Sequence, residues 1–195
     1  SQAANPGLRP ERVNTVEAAW ERALGPDARL SVSAYRHQVV DIIEFVPLSG
    51  DLSRYENLST AHTQGVDIDV EQRRASGWQW RASVSLTRAR SGGAAASNSP
   101  RWLFKGHVLA PLAPDWSAAL QWTSMAQRDS LRGPVPAYLT ADAVVRFAWT
   151  STQSLSLTVR NLGDRSTYDP ASSDTSLLRI PRERRSIALD WRAGF

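Results

Sequence analysis

The chain has 195 residues, of which 42% are hydrophobic and 22% are charged, and its net charge is +4; this balance is typical of an ordered domain. The absence of cysteine excludes disulfide frameworks, thiolate metal sites and cysteine nucleophiles. Basic residues cluster only at 181–185, so no nucleic-acid partner is predicted, and no stretch reaches the roughly 20 apolar residues of a membrane helix.

Apolar and polar residues alternate along most of the chain, which predicts strands with one apolar face and one polar face. Between Val66 and Glu71, for example, valine and isoleucine occupy the even positions and carboxylates the odd ones. In chain order the predicted strands are 12–24, 28–46, 54–73, 77–90, 101–112, 115–128, 136–149, 153–161 and 182–194. Alternate connections are too short for crossovers, so the strands are expected to pair in antiparallel, up-and-down order.

The connections between these strands alternate between tight turns and long segments. Tight turns are predicted at 25–27, 74–77, 113–115 and 151–153, and longer loops at 46–54, 91–100, 129–135 and 162–180. All turns would then lie at one end of the sheet and all loops at the other, as in outer-membrane barrels. The strands also reach the roughly nine to eleven residues that a tilted strand needs to cross a bilayer. The predicted fold class is therefore an all-β, antiparallel, up-and-down transmembrane β-barrel.

Five of the eight tryptophans lie beside a predicted tight turn or near the C-terminus, with the parity of the apolar face. Amphipathic indole rings gather at membrane–water interfaces, so these residues are predicted to form a membrane girdle at the turn end. They are Trp20, Trp78, Trp116, Trp149 and Trp191. A soluble β-sandwich would instead place its tryptophans inside its core.

The predicted strands number nine, whereas closed bacterial barrels have an even number. We therefore interpret the chain as a partial barrel, about nine strands of a larger one, whose first strand lacks its partner. Such an open sheet would have two bare edges. Alone it is expected to aggregate rather than form a monomeric barrel.

The polar residues favour charge pairing over catalysis. The three carboxylates within 67–71 share one strand face, but the arginines at 73, 74 and 81 favour cross-strand ion pairs over a cation site. No serine lies in a nucleophile elbow, and no glycine-rich loop follows a strand into a helix. The histidines lack the spacing of metal ligands; they are His37, His62 and His107. No enzyme activity, metal or cofactor is predicted.

The alternation of the predicted strands assigns each of several arginines to the polar or the apolar face. Arg160, Arg184 and Arg192 have the parity of the polar face and can line the interior. Arg22 and Arg88 have the parity of the apolar face but lie near strand ends. There the cost of a lipid-facing arginine falls to about 0–1 kcal/mol, from about 2–4 kcal/mol at the membrane midplane.

Several stretches resemble the C-terminal barrel of TonB-dependent outer-membrane receptors. In order, they are NPGLRPERVNTVEAAWE (5–21), YENLSTAHTQGVDIDVE (55–71), SPRWLFKGHVLAPL (99–112) and LSLTVRNLGDRSTYDP (155–170). Asp67 stands where the family more often has glutamate, and the stretch 181–189 lacks the usual glycine before its arginine. The last strand, with Trp191 and the terminal Phe195, resembles the C-terminal signal that the barrel assembly machinery reads.

The resemblance implies a barrel of about 22 strands, of which residues 1–195 would be the C-terminal part, with the plug domain absent from this chain. It implies a receptor in the Gram-negative outer membrane that captures a siderophore, cobalamin or similar nutrient and imports it with energy from TonB. The implied partners are outer-membrane lipid, the barrel assembly machinery, inner-membrane TonB through the missing plug, and a small-molecule ligand.

Ligand specificity is expected to lie in the loops. The candidate ligand contacts, chosen because they are polar or aromatic and close to loops, are Arg54, Tyr55, Arg128, Arg132 and Tyr168. Three alternatives stay open: a passive porin-like barrel without TonB coupling, a soluble β-sandwich binding module, and an enzyme embedded in a barrel.

Overall fold

The computed structural model describes residues 2–171 and 175–194, and its regular elements are all β-strands. They are β1 (Gln2–Ala3), β2 (Arg12–Ala23), β3 (Ala28–Pro47), β4 (Ser53–Arg73), β5 (Gln79–Ser91), β6 (Ala94–Ala95), β7 (Trp102–Ala113), β8 (Trp116–Met125), β9 (Tyr138–Phe147), β10 (Gln153–Arg160), β11 (Tyr168–Pro170), β12 (Arg179–Pro181) and β13 (Ser186–Ala193). Within these ranges no helix has the length and apolar character needed to span a membrane. The predicted role of Phe195 lies outside the described residues.

Nine long strands form one antiparallel sheet in up-and-down order, as predicted. The order across the sheet is β13-β10-β9-β8-β7-β5-β4-β3-β2. Of the short strands, β1 pairs in parallel with β4, β6 folds back on β5, and β11 and β12 form a separate hairpin. In the described part of the chain, β2 and β13 each pair on one side only, so the sheet is open at both edges.

Two strands end earlier at the loop side than the alternation predicts. β8 ends at Met125 because Arg128 leaves the sheet and forms an isolated bridge with Val135. β13 begins at Ser186 because Arg184 bonds to a loop carboxylate instead of extending the ladder with β10. The prediction that Arg184 lies on the polar face of a strand is therefore wrong.

A β-bulge interrupts β3 at Asp41, where the register with β4 shifts. Asp41 has a φ of 60°, a left-handed conformation that aspartate adopts more often than most residues. Its carboxylate accepts hydrogen bonds from Arg9 at 2.7 Å and Arg12 at 2.9 Å, and Asn57 Nδ2 donates to its carbonyl at 2.7 Å. These bonds hold the segment before β2 against β3 and β4.

The strand register produces an apolar face and a polar face. One apolar row crosses five strands through Trp20, Val32, Ile68, Val84 and Phe104.

On the polar face, Arg29 donates to Glu71 at 3.0 Å and Arg81 donates to Asp69 at 2.7 Å. Arg73 lies 3.7 Å from the second oxygen of Glu71. Of the predicted arginines, Arg81 forms a cross-strand ion pair and Arg73 pairs within its own strand, β4, whereas Arg74 forms no ion pair among the described residues. Arg29, which was not predicted, forms a second cross-strand pair.

Two glycines make room for an aromatic side chain of the adjacent strand. A Cβ on Gly65 would lie 2.5 Å from the Tyr35 hydroxyl and 2.7 Å from the carbonyl oxygen of Leu86. On the apolar face, a Cβ on Gly106 would lie 2.3 Å from Cζ2 of Trp122. Glycine is required at these two positions for space, since neither backbone has a positive φ.

Most buried side chains lie at the loop end of the sheet rather than along its strands. The buried residues there are Ala126, Arg128, Val135, Asn161, Thr167 and Ala171. The sheet has no second layer packed on it, so tertiary packing in the described residues concentrates where the loops meet.

Candidate functional site

Three of the four loop-end connections are longer than the turns, as predicted, but the first is not: β3 and β4 extend to Pro47 and Ser53 and leave only 48–52 between them, which is as short as the turns 74–78 and 148–152. At the turn end the connections are short, spanning 24–27, 74–78, 114–115 and 148–152. At the loop end they are L1 (48–52), L2 (92–101, which contains β6), L3 (126–137) and L4 (161–185, which contains β11 and β12). A ligand approaching the loop end meets L1 to L4 first.

Arg128 joins three of these loops. It is 6% exposed and lies just beyond β8. Nη1 donates to Asn98 Oδ1 of L2 at 3.0 Å, and Nη2 donates to the Tyr168 carbonyl of L4 at 3.0 Å. Nη2 also lies 3.6 Å from Asp169 Oδ1. A planar guanidinium suits this task because it reaches several acceptors at fixed angles, and it ties L2 and L4 to L3.

L3 closes on itself as a small hairpin. The backbone groups of Arg128 and Val135 exchange two hydrogen bonds, at 3.0 and 2.8 Å, and those of Ser130 and Gly133 exchange two at 3.1 Å. Gly133 has a φ of 118°, which favours glycine at the turn. Val135, at the base of the hairpin, is fully buried, and Arg132, at the tip, is exposed.

L4 leaves β10 through a tight turn at Asn161. This residue has a φ of 49° and is 6% exposed. Its side chain bonds the backbone of Arg165 twice, with Nδ2 donating to the carbonyl at 2.9 Å and Oδ1 accepting from the N–H at 3.0 Å. Its own N–H donates to Asp142 Oδ1 at 2.7 Å. The turn directs the chain towards Asp164.

Asp164 and Arg184 close L4 by joining its two ends. Nε and Nη2 of Arg184 donate to the two carboxylate oxygens at 2.9 and 2.8 Å, a bidentate geometry. The Arg185 N–H donates to the same carboxylate at 3.0 Å, and Arg184 Nη1 donates to Ser166 Oγ at 2.9 Å. The side-chain bond from Arg184, followed by the Arg185 N–H, lowers the pKa of Asp164 to about 2.

L4 is expected to loosen as the pH falls from about 4 to about 2. Because the pKa of Asp164 is lowered from 3.8 to about 2, the pairing stabilises the loop above the unfolded-state pKa and is lost as the pH falls through the folded-state pKa. A fluorescent probe on Ser176→Cys in the full-length protein would report the loosening. Asp164→Asn should abolish this transition, and an unchanged transition in that variant would contradict the assignment.

Arginines cover the aromatic rings near L4. The guanidinium of Arg179 lies 4.6 Å from the ring centroid of Tyr168, within the range of a cation–π interaction. Arg182 lies 5.6 Å from the ring of Tyr138 and donates to its hydroxyl at 3.0 Å. Tyr168, a predicted ligand contact, therefore already stacks against an arginine.

The other two candidate contacts lie in a separate group near L1. Arg54 and Tyr55 are at the start of β4, which β5 and β7 separate from β8 in the sheet. Arg54 donates from Nε to Glu56 Oε1 at 3.0 Å, and Tyr55, 42% exposed, packs on Phe45 with 5.2 Å between ring centroids. The five candidates thus form an L1 group of two and an L3–L4 group of three, and their contact with a ligand stays a prediction.

Sequence reasoning missed the residues that hold the loops together. Asn98 carries no signal in the sequence, because its partner Arg128 is 30 positions away. Asp164 lies within the stretch that resembles the family's strand exit, which could have identified it. Over residues 2–171 and 175–194, no group of three or more histidine, aspartate or glutamate side chains could hold a metal ion.

The five predicted girdle tryptophans are exposed at the turn end, with exposed fractions between 40% and 68%. Trp116 stacks on Phe147 with 4.7 Å between ring centroids, and Trp149 Nε1 donates to Gln153 Oε1 at 2.8 Å. An indole with an exposed apolar body and a bonded polar tip suits a membrane interface. Membrane contact by these residues stays a prediction.

Comparison with known proteins identifies the family. The family model of the TonB dependent receptor-like β-barrel matches residues 1–162. None of the curated proteins matches the sequence.

The fold is shared with solved structures, among them three receptors. They are the ferric-catecholate import receptor Fiu from K12 E. coli (TM-score 0.80, 17% identity), the pyoverdine outer membrane receptor FpvA from Pseudomonas aeruginosa PAO1 (0.80, 16%) and the siderophore receptor PirA from Acinetobacter baumannii (0.79, 14%).

These structures cover 98%, 96% and 100% of this chain, whereas the chain spans only 29%, 30% and 33% of theirs. At such low identity the likeness shows the fold alone. The family model, which spans most of the sequence, shows that the chain belongs to the TonB-dependent receptor β-barrel family.

Proposed function

We propose that the chain is the C-terminal part of the barrel of a Gram-negative outer-membrane receptor that imports a ferric siderophore with energy from TonB. The observation that carries the proposal is the division of the sheet into an apolar and a polar face, with short turns at one end and packed loops at the other. In a barrel, the apolar face would contact lipid, the polar face would line the lumen, and the loops would face outside the cell.

The ion pairs of the polar face support this orientation. Arg29–Glu71 and Arg81–Asp69 lie near the turn ends of their strands, and Asp142, on the same face, lies at the middle of β9. Charged groups in the hydrocarbon core cost several kcal/mol, whereas a hydrated lumen solvates them. Only the apolar face can therefore be turned to lipid.

The names of the structural neighbours and the chemistry of the loops support the proposed ligand class. The neighbours are described as a ferric-catecholate import receptor, a pyoverdine receptor and a siderophore receptor. Catecholate oxygens are negatively charged and their rings are aromatic, so arginine and tyrosine side chains suit them. Tyr55, Tyr168 and the exposed Arg132 are the proposed contacts.

TonB and the barrel assembly machinery are proposed as partners because the chain belongs to the TonB-dependent receptor family. TonB would act through a plug domain that precedes this segment in the complete protein, and the barrel assembly machinery would read the last strand with Trp191. No catalytic step and no cofactor is part of the proposal, since ligand capture and release need neither.

Uptake by the full-length gene product tests the function. A strain with the gene deleted and its complemented counterpart would be given radioiron-loaded catecholate siderophore or ferripyoverdine. We expect complementation to raise uptake of one of them substantially, and we expect loss of TonB to abolish the gain.

Loop variants refine the test. Tyr55→Ala combined with Arg132→Ala should lower uptake at unchanged receptor abundance, whereas Arg74→Ala, in a short turn at the opposite end, should not. Uptake that persists without TonB would favour a passive porin-like barrel, and no uptake of either probe would reject the siderophore class.

A further inference from the structure

A group of basic residues lies on the apolar face, towards its loop end. Arg36, Gln64 and Arg88 are directly paired across β3, β4 and β5, and the next row along the same face is Gln38, His62 and Arg90. We call Arg36, His62, Arg88 and Arg90 the basic patch. All four are exposed, and the row just below them is apolar: Ala34, Val66 and Leu86.

The basic patch has no internal counter-charge. Among the described residues, Arg36, Arg88 and Arg90 take part in no ion pair, whereas Arg29, Arg73 and Arg81 on the polar face all do. The two rows contain no carboxylate. Arg88 and Arg90 also line a cleft with Arg101, in which Asp129 is the one acidic residue among the described lining residues. Positive charge therefore dominates in the cleft too.

The height of the patch matches a membrane surface. Arg36 and Arg88 lie about nine and ten residues along their strands from the nearest short turn, which is about 23–25 Å for a rise of about 3.3 Å per residue and a tilt near 40°. The apolar band of an outer-membrane barrel is about 25 Å tall. The basic patch therefore begins where the hydrocarbon layer ends on the loop side.

We propose that the basic patch binds the phosphate groups of an outer-leaflet lipid. This rests on the membrane orientation proposed above. Arginine is suited to phosphate because its planar fork donates two hydrogen bonds to one anion. Arg36 and Arg88 are two strands apart, about 10 Å, so they straddle one phosphorylated head group while its acyl chains lie on the apolar row below.

The siderophore ligand is not the occupant, because it would travel through the lumen and the patch lies on the opposite face of the sheet. The patch is instead a fixed contact between barrel and membrane. Each arginine near an anionic membrane surface contributes about 1 kcal/mol, so three of them correspond to on the order of a hundredfold in affinity.

Binding of lipid A to the full-length receptor in detergent tests the proposal. The probes are lipid A with both phosphates, the same lipid enzymatically dephosphorylated, and inorganic phosphate. We expect Arg36→Gln, Arg88→Gln and Arg90→Gln together to weaken binding of phosphorylated lipid A by on the order of 10- to 100-fold. The matched control is Arg146→Gln, Arg160→Gln and Arg192→Gln, which removes the same charge from the polar face and should leave binding unchanged.

Three results would overturn the proposal: equal affinity in both triple variants, equal binding of dephosphorylated lipid, or occupation by inorganic phosphate at equal concentration. Quenching of tryptophan fluorescence by brominated lipid in vesicles is the separate check on membrane orientation. If quenching is absent, the proposed orientation has failed; if quenching is present and the patch variant still binds, only the lipid site is rejected.

Discussion

Replacing Gly65 with valine should lower the free energy of unfolding of the full-length receptor by about 2–4 kcal/mol. A Cβ at this position would meet the Tyr35 hydroxyl at 2.5 Å and the backbone carbonyl of Leu86 at 2.7 Å. The tyrosine can rotate away, at the loss of its 3.1 Å hydrogen bond with Thr87, but the carbonyl belongs to the neighbouring strand and cannot. Urea unfolding, followed by heat-modifiable migration on a gel, would measure the change.

Gly106 provides a matched comparison, because the nearest atoms to its missing Cβ all belong to the Trp122 side chain. Gly106→Val should therefore be rescued by Trp122→Ala, whereas Gly65→Val should not be rescued by Tyr35→Ala. Gly7, with no atom closer than 3.5 Å, serves as the control for adding a side chain. Full rescue of Gly65→Val by Tyr35→Ala would show that the backbone contact with Leu86 is unimportant.

Replacing Arg128 with methionine should release L2 and L4 from L3 and cost those loops about 2–4 kcal/mol of local stability. The side chain is 6% exposed, so its loss leaves the half-buried Tyr168 carbonyl without its donor, and the exposed Asn98 amide is freed from L3. Hydrogen exchange of the full-length protein should then be faster in L2 and L4, while β3 to β5 keep their protection.

Arg128→Lys separates charge from geometry, because lysine keeps the cation but loses the planar fork. We expect it to restore part of the protection near Asp169, 3.6 Å from Arg128 in the structure, and little at Asn98. Arg74→Met, in an exposed turn, is the control. Unchanged exchange in Arg128→Met would mean that the loops are held by their own hairpins.

The strands could be predicted from the sequence because a strand in a one-layer sheet is specified locally. Because successive side chains of a strand point to opposite faces, every second residue shares a face. In the described residues, the register places Val66, Ile68 and Val70 on one face and the carboxylates between them on the other. The turns could also be predicted, since short connections rich in polar residues, proline or glycine leave few alternatives. The family resemblance was carried by the same local stretches.

The loops could not be predicted in the same way, because their structure depends on partners far apart in the chain. Arg184 was expected on a strand, and only the bidentate bond to Asp164, 20 residues away, takes it out of the ladder. Arg128 was chosen as a ligand contact for its position near a loop, yet it lies buried between three loops.

The sequence by itself determined an all-β sheet with two faces, its strand order and its loop and turn ends, because side-chain alternation and connection length are local properties. The pairing of Arg81 was predicted, but only the tertiary structure decided the exact partners and which other arginines stay outside ion pairs. Arg29 and Arg81 find carboxylates on adjacent strands, whereas Arg36, Arg88 and Arg90 find none among the described residues. That difference depends on the register between strands, because the register decides which residues from distant parts of the sequence lie side by side.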